Sequence, residues 1–279
     1  MRYHKIIYIL LLVLNFLLAQ INLSISEYRP FPDQISILEI QPTKISWSIA
    51  NRFLLMDQYQ RDLLELGTFG DVTLSTVNSL SSQSYGEIVW MGLSPSGIWV
   101  LDRIENTISQ LDYRLNPIRS DQLDIRIFPE DAALDSWGRI FLFSRTYNGI
   151  YIYEDNEFND MPFIDFSREF QTSFCLKDME INEDGEMGIL DCTGDIHIFN
   201  LLGEKQVTYK ANIQNPEFLA PLRSYWVVFN RRGLGVDIQS NESLQIPAAS
   251  LPVVDIKTQN KSIAVLSRDH ILILNAKFY

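Results

Sequence analysis

Six short apolar runs recur along the chain, each closed by one small polar residue. They are Phe53–Met56 before Asp57, Ile98–Leu101 before Asp102, Ile140–Phe143 before Ser144, Met187–Leu190 before Asp191, Trp226–Phe229 before Asn230, and Ile263–Leu266 before Ser267. The closing residues lie 45, 42, 47, 39 and 37 positions apart, a mean of 42. A run apolar on both faces predicts a strand sandwiched between neighbouring sheets. The segment after each short turn alternates instead, at Leu64/Leu66, Ile150/Ile152, Ile196/Ile198, Val236/Ile238 and Ile271/Ile273, and predicts a strand with one buried face. The second unit departs from this with Ile108-Ser109-Gln110-Leu111. The turns ahead of three runs end in Gly97, Gly138 and Gly185, with Asn51 at the matching place in the first unit, residues that accept positive φ. Pro221-Leu222-Arg223-Ser224 breaks that rule in the fifth.

A four-stranded unit repeating at this spacing predicts an all-β fold, a six-bladed β-propeller of four-stranded antiparallel blades. Six units account for residues 27–279 as a single domain. The last unit has only three strands before the chain ends, so an N-terminal strand is expected to complete the last blade. Ile35–Ile40 alternates correctly to supply it.

The blades resemble those of NHL-type six-bladed propellers, in the wider TolB-like group. The fourth unit carries the likeness best, in Ile181-Asn182-Glu183-Asp184-Gly185, Ile189-Leu190-Asp191, Ile196-His197-Ile198-Phe199 and Gly203-Glu204. Asp102 and Asp191 stand at that family's characteristic aspartate, while Thr107 and Asp195 replace its usual basic residue. The resemblance implies a binding platform more often than an enzyme.

Composition adds a location. Met1–Lys5 is short and basic and Ile6–Ala19 is apolar apart from Asn15, a stretch that suits a signal-peptide core and is too short to span a bilayer. Residues 1–26 are therefore expected to be a signal peptide, cleaved after Ala19 or Ser26, giving an exported protein that is periplasmic, cell-surface or extracellular. No membrane span is expected in the mature chain, and a monomer is expected. The formal charge of −12 argues against a nucleic-acid partner, because phosphates need a positive footprint.

Cys175 and Cys192 flank the Asn182–Gly185 turn. If Ile181 faces Glu186, the two cysteines face each other across the hairpin, close enough for a disulfide in an oxidising compartment.

Candidate chemistry gathers in the turn after each polar anchor. Four blades place an arginine there (Arg103, Arg145, Arg231 and Arg268), and Tyr59 and Tyr147 lie in the same turns. A partial guanidinium ring at the channel mouth would hold a carboxylate, sulfate or phosphate by paired hydrogen bonds. The competing expectation is that each arginine pairs with an acid of an incoming loop, where Glu87, Glu130, Asp131, Asp178 and Glu217 lie. The leading functional expectation is a non-catalytic binding or scaffold propeller, without cofactor, recognising a protein or small anionic ligand at the channel mouth. The alternative is a metal-dependent hydrolase of lactonase type. It would resemble gluconolactonase or paraoxonase and use the same five carboxylates to hold Ca or Mg. His197 and His270 read as strand and turn histidines with local partners.

Overall fold

A computed structural model describes residues 21–76, 84–170, 173–247 and 252–278. All six apolar runs form the second strand of a sheet, at Phe53–Asp57, Gly97–Asp102, Ile140–Ser144, Met187–Asp191, Tyr225–Asn230 and Ser262–Leu266. The strand before each run pairs on one side of it and the alternating strand on the other, all antiparallel. The first strands touch one another in sequence, Lys44–Trp47, Ile88–Ser94, Asp131–Leu134, Leu176–Ile181, Pro216–Leu222 and Asp255–Gln259, and the last touches the first again. The result is a closed ring of six blades with these strands around the axis. In the third blade the outermost position is shared by two fragments, Glu157–Phe158 and Ile164–Asp165.

The hydrophobic core is divided in the same way. Each of its six clusters draws on two adjacent blades, as where Leu54 and Met56 of the first meet Ile98 and Val100 of the second. Runs apolar on both faces are what such a ring requires, since each central strand is covered on two sides. The irregular second unit still forms Thr107–Leu111, with Ser109 and Gln110 buried. In the fifth, Arg223 takes φ 58 in a two-residue turn between the paired Leu222 and Tyr225, the role that glycine fills elsewhere.

The ring is closed by an N-terminal strand, but not by Ile35–Ile40. Ile21–Pro30 pairs antiparallel with His270–Phe278 along its whole length and forms the outermost strand of the sixth blade. The boundary expected at residue 27 falls inside this strand. With that ladder taken, Ile35–Ile40 has no strand to join. Pro32 and Asp33 instead open a short helix, Asp33–Ile37, with the Asp33 carboxylate in the first turn, where a negative charge suits the helix's positive end. Its Ile35, with Ile40 just beyond, packs into the seam between the sixth and first blades, while Ile37 is exposed.

Candidate functional site

Loops that enter each blade and turns that join its second and third strands share one face of the ring, here called the upper face. The small polar anchors organise it. Asp57 accepts hydrogen bonds from the Tyr59 and Gln60 amides of its own turn and from the Gln41 amide of the incoming loop. Asp102 does the same for Glu105 and for Gly86 and Glu87, and Asn230 accepts from Arg232 and Leu234 while its Nδ2 donates to the Gln214 carbonyl. These three anchors therefore cap a turn and also tie that turn to the loop entering the same blade, whereas Asp191 bonds its own turn and His197.

The residue after the anchor extends the tie. Arg103 pairs with Glu87 at 2.6 Å and Arg145 with Glu130 at 2.9 Å. In the fourth blade the equivalent link is covalent, a Cys175–Cys192 disulfide with Cα atoms 5.5 Å apart. The hairpin register differs from the simple one, because Ile181 faces Met187. An extra residue near Lys177 then shifts the pairing so that Leu176 faces Asp191, which brings the cysteines opposite each other.

The fifth blade breaks the scheme. Glu217 leans toward Lys177 of the fourth blade, 3.8 Å away, and Arg231 has no ion pair among the described residues. Arg231 and Arg232 border an open cleft of about 300 Å³ with Gln214, Asn215, Asn230 and Glu217. Arg268 is exposed in the sixth blade, likewise without an ion pair among the described residues. Tyr59 is 76% exposed, and Tyr147 stands edge-on to Tyr151.

Asp131 and Asp178 do not belong to the upper loops. Asp131 begins one first strand and Asp178 is the third residue of another, and the structure gathers Lys44, Glu180, Asp255 and Lys257 around them in the axial channel. Six side chains stand at one level, each opposite the residue just before a polar anchor: Lys44, Trp90, Asp131, Asp178, Phe218 and Asp255. Two positions on stand Ser46, Gly92, Ala133, Glu180, Ala220 and Lys257. Four of those are small, which leaves room for Lys257 to reach across the axis and hold both Glu180 oxygens, at 2.6 and 2.8 Å. Gly92 is needed for a second reason, as a Cβ there would lie 2.2 Å from the ring of Trp90.

First strands have no partner on the axial side, so their inward amides need acceptors. Asp255 accepts from the Ile45 amide of the first blade at 2.8 Å, and Asp178 from the Leu219 amide of the fifth at 2.6 Å. Carboxylates thereby stitch blade to blade. The space left among these groups is about 30 Å³, one water's worth, so the channel is plugged at this level.

The plug's charges interact strongly. Burial pushes the Asp131 carboxyl up to about 7, with Lys44 opposing the rise and Asp178 adding to it. Burial likewise holds Asp255 and Glu180 above their ordinary values against the pull of Lys44 and Lys257 respectively. Asp255 raises Lys44, and although burial pulls Lys257 down, Glu180 with Asp178 and Asp255 raises it on balance, so both lysines stay charged. His197 is buried between Asp191 and Thr208, and His270 bonds Asp269 through Nδ1. Burial opposes ionisation of Asp191, but hydrogen bonds from His197, Thr193 and Asp195 hold its carboxyl down at about 2.

Of the carboxylates considered as metal ligands, Glu87 and Glu130 are bound to arginines, Glu217 leans to a lysine, and Asp131 and Asp178 lie inside the plug. No group of three or more His, Cys, Asp and Glu among the described residues is placed to hold a metal ion. Sequence reasoning missed Lys44, Glu180, Asp255 and Lys257. Their signal is the polar period of two in Asp178-Met179-Glu180 and Asp255-Ile256-Lys257, on strands whose other face is core.

No family model matches the chain, and no curated protein does. Solved structures do. Virginiamycin B lyase from Staphylococcus aureus superposes with TM-score 0.62 at 12% identity, covering 92% of this chain and 99% of that one. The WD40 domain of Neurospora crassa Pan2 gives 0.59 at 10% identity, covering 88% and 79%. YCF48 bound to D1 peptide gives 0.58 at 12% identity, covering 84% and 78%. At such identities the likeness is one of fold, the β-propeller.

Proposed function

We propose that the protein is an exported, non-catalytic binding propeller whose upper face takes a small anionic ligand or an anionic side chain of a partner protein. The observation that carries this reading is the unequal treatment of four equivalent arginines. Arg103 and Arg145 are neutralised by their own incoming loops, whereas Arg231 and its neighbour Arg232 border an open cleft with carboxamides beside them. Two guanidinium groups flanked by amide donors match the needs of a carboxylate, sulfate or phosphate. A lyase, a WD40 domain and a peptide-bound protein share the ring, so the fold does not choose between binding and catalysis. The engagement of the five acidic residues described above is what favours binding over metal-assisted hydrolysis.

Calorimetric titration with sulfate, phosphate and citrate tests it. Arg231→Ala with Arg232→Ala is expected to weaken anion binding at least tenfold, and Arg103→Ala to leave it unchanged. Equal binding by both variants sinks the assignment. Export follows from the apolar leader. Cleavage after Ala19 would leave the ring-closing strand whole, whereas cleavage after Ser26 would strip Ile21–Ser26 from it. N-terminal sequencing of the mature protein is expected to find Gln20 first.

A further inference from the structure

The lower face, where first strands turn into second and third into fourth, carries a groove of about 580 Å³ between the second and third blades. Its floor is closed and satisfied. The Trp99 indole donates to Ser94, and its ring meets Tyr153 edge-on at 5.7 Å. The Tyr153 hydroxyl bonds Asp121, which also neutralises Arg119 at 2.6 Å.

The rim is different. Trp137 is 62% exposed, yet it is held firmly. Its amide bonds Asp135, whose other oxygen grips Arg139 at 2.7 Å, and that guanidinium lies 5.2 Å from the centre of the Trp137 ring. On the next blade the ring rests against Gly185, at φ +80, where a Cβ would come within 2.9 Å of it. A large ring kept in the open by a half-buried ion pair and a missing side chain is a preorganised platform. Beside it, Glu154 and Asp155 are exposed on the adjoining turn and have no ion pair among the described residues. With Arg119 already neutralised, the groove carries two uncompensated negative charges next to an indole.

The geometry points to a peptide-binding groove on the lower face, taking an extended segment that places a lysine or arginine over Trp137 and against Glu154 and Asp155. A cation between an indole and carboxylates gains from both, and the aromatic floor takes the stem of the side chain. This site lies on the opposite face from the arginine cleft and stands independently of it.

Fluorescence polarisation with labelled nona-arginine in 150 mM salt tests the proposal, with nona-glutamate and chitohexaose as comparisons. Trp137→Ala and the pair Glu154→Gln with Asp155→Asn are each expected to weaken nona-arginine binding at least fivefold. Trp137→Phe is expected to retain most of it. Asp33→Asn with Glu39→Gln, which removes equal charge from the upper face, is expected to change it less than twofold. Circular dichroism of each variant checks that the ring is intact. Equal losses from both charge variants would mean attraction to the net negative surface alone and would overturn the proposal. So would Trp137-dependent binding of chitohexaose without nona-arginine binding, which would mark a saccharide site.

Discussion

Asp102 shows how much one side chain does in this fold. It is buried, and its two oxygens accept from Gly86, Glu87 and Glu105, joining the loop entering the second blade to the turn leaving that blade's second strand. Asp102→Ala would leave three amides without that acceptor, at a cost of about 2–3 kcal/mol. Thermal unfolding is expected to fall by about 5–10 °C for a chain of this size. Asn would keep one acceptor oxygen and recover part of the loss. A variant as stable as the parent would show that water replaces the anchor.

Among elements, the closing strand Ile21–Pro30 is the one on which the ring depends. Its Arg29 is buried, bonds Glu27 and the Asn51 carbonyl, and lies 4.9 Å over the Phe53 ring of the first blade. One side chain thus fastens the sixth blade's outer strand to the first blade, beside the Asp255–Ile45 bond on the axis. Arg29→Ala is expected to cost about 2–3 kcal/mol through a lost charged hydrogen bond and lost packing. Lysine is not expected to rescue it, having no fork to bond Glu27 and Asn51 together. Hydrogen exchange should quicken along Ile21–Pro30 and His270–Phe278 and stay unchanged in the third and fourth blades. Uniform quickening would mean that the seam does not open by itself.

For the molecule as a whole, the axial plug sets how stability responds to pH. Among the described residues Asp131 has no lysine within ion-pair distance, unlike Glu180, and burial raises its carboxyl to about 7 in the folded ring against about 4 when unfolded. The folded state therefore holds an extra proton between those values, and stability falls as pH rises from about 4 to 7 and levels off above that. Allowing for water in the channel, the loss is of the order of 2 kcal/mol, or about 5 °C. The Asp191 carboxyl acts in the opposite sense, contributing stability that disappears as pH drops from about 4 toward 2. Melting temperature is thus expected to peak near pH 4 and to decline up to about pH 7. Asp131→Asn should flatten the decline, and an unaltered profile in that variant would place the titrating group elsewhere.

The recurrence of runs such as Phe53–Met56 and Ile263–Leu266 determined six blades and their strand order, because a strand covered on both sides must be apolar on both sides. The small polar anchors were equally legible as turn caps, since a cap is a local hydrogen bond. Tertiary structure decided which N-terminal segment closes the ring. Ile21–Pro30 and Ile35–Ile40 both alternate, and only the length of the ladder along His270–Phe278 and the helix start at Pro32-Asp33 separate them. It also decided which arginines are neutralised, for Glu217 stands one residue before Phe218 as Glu130 does before Asp131, yet leans to another blade. The plug was out of reach for the same reason. Lys44, Asp131, Glu180 and Lys257 come from four blades and meet only on an axis that exists once the ring has closed.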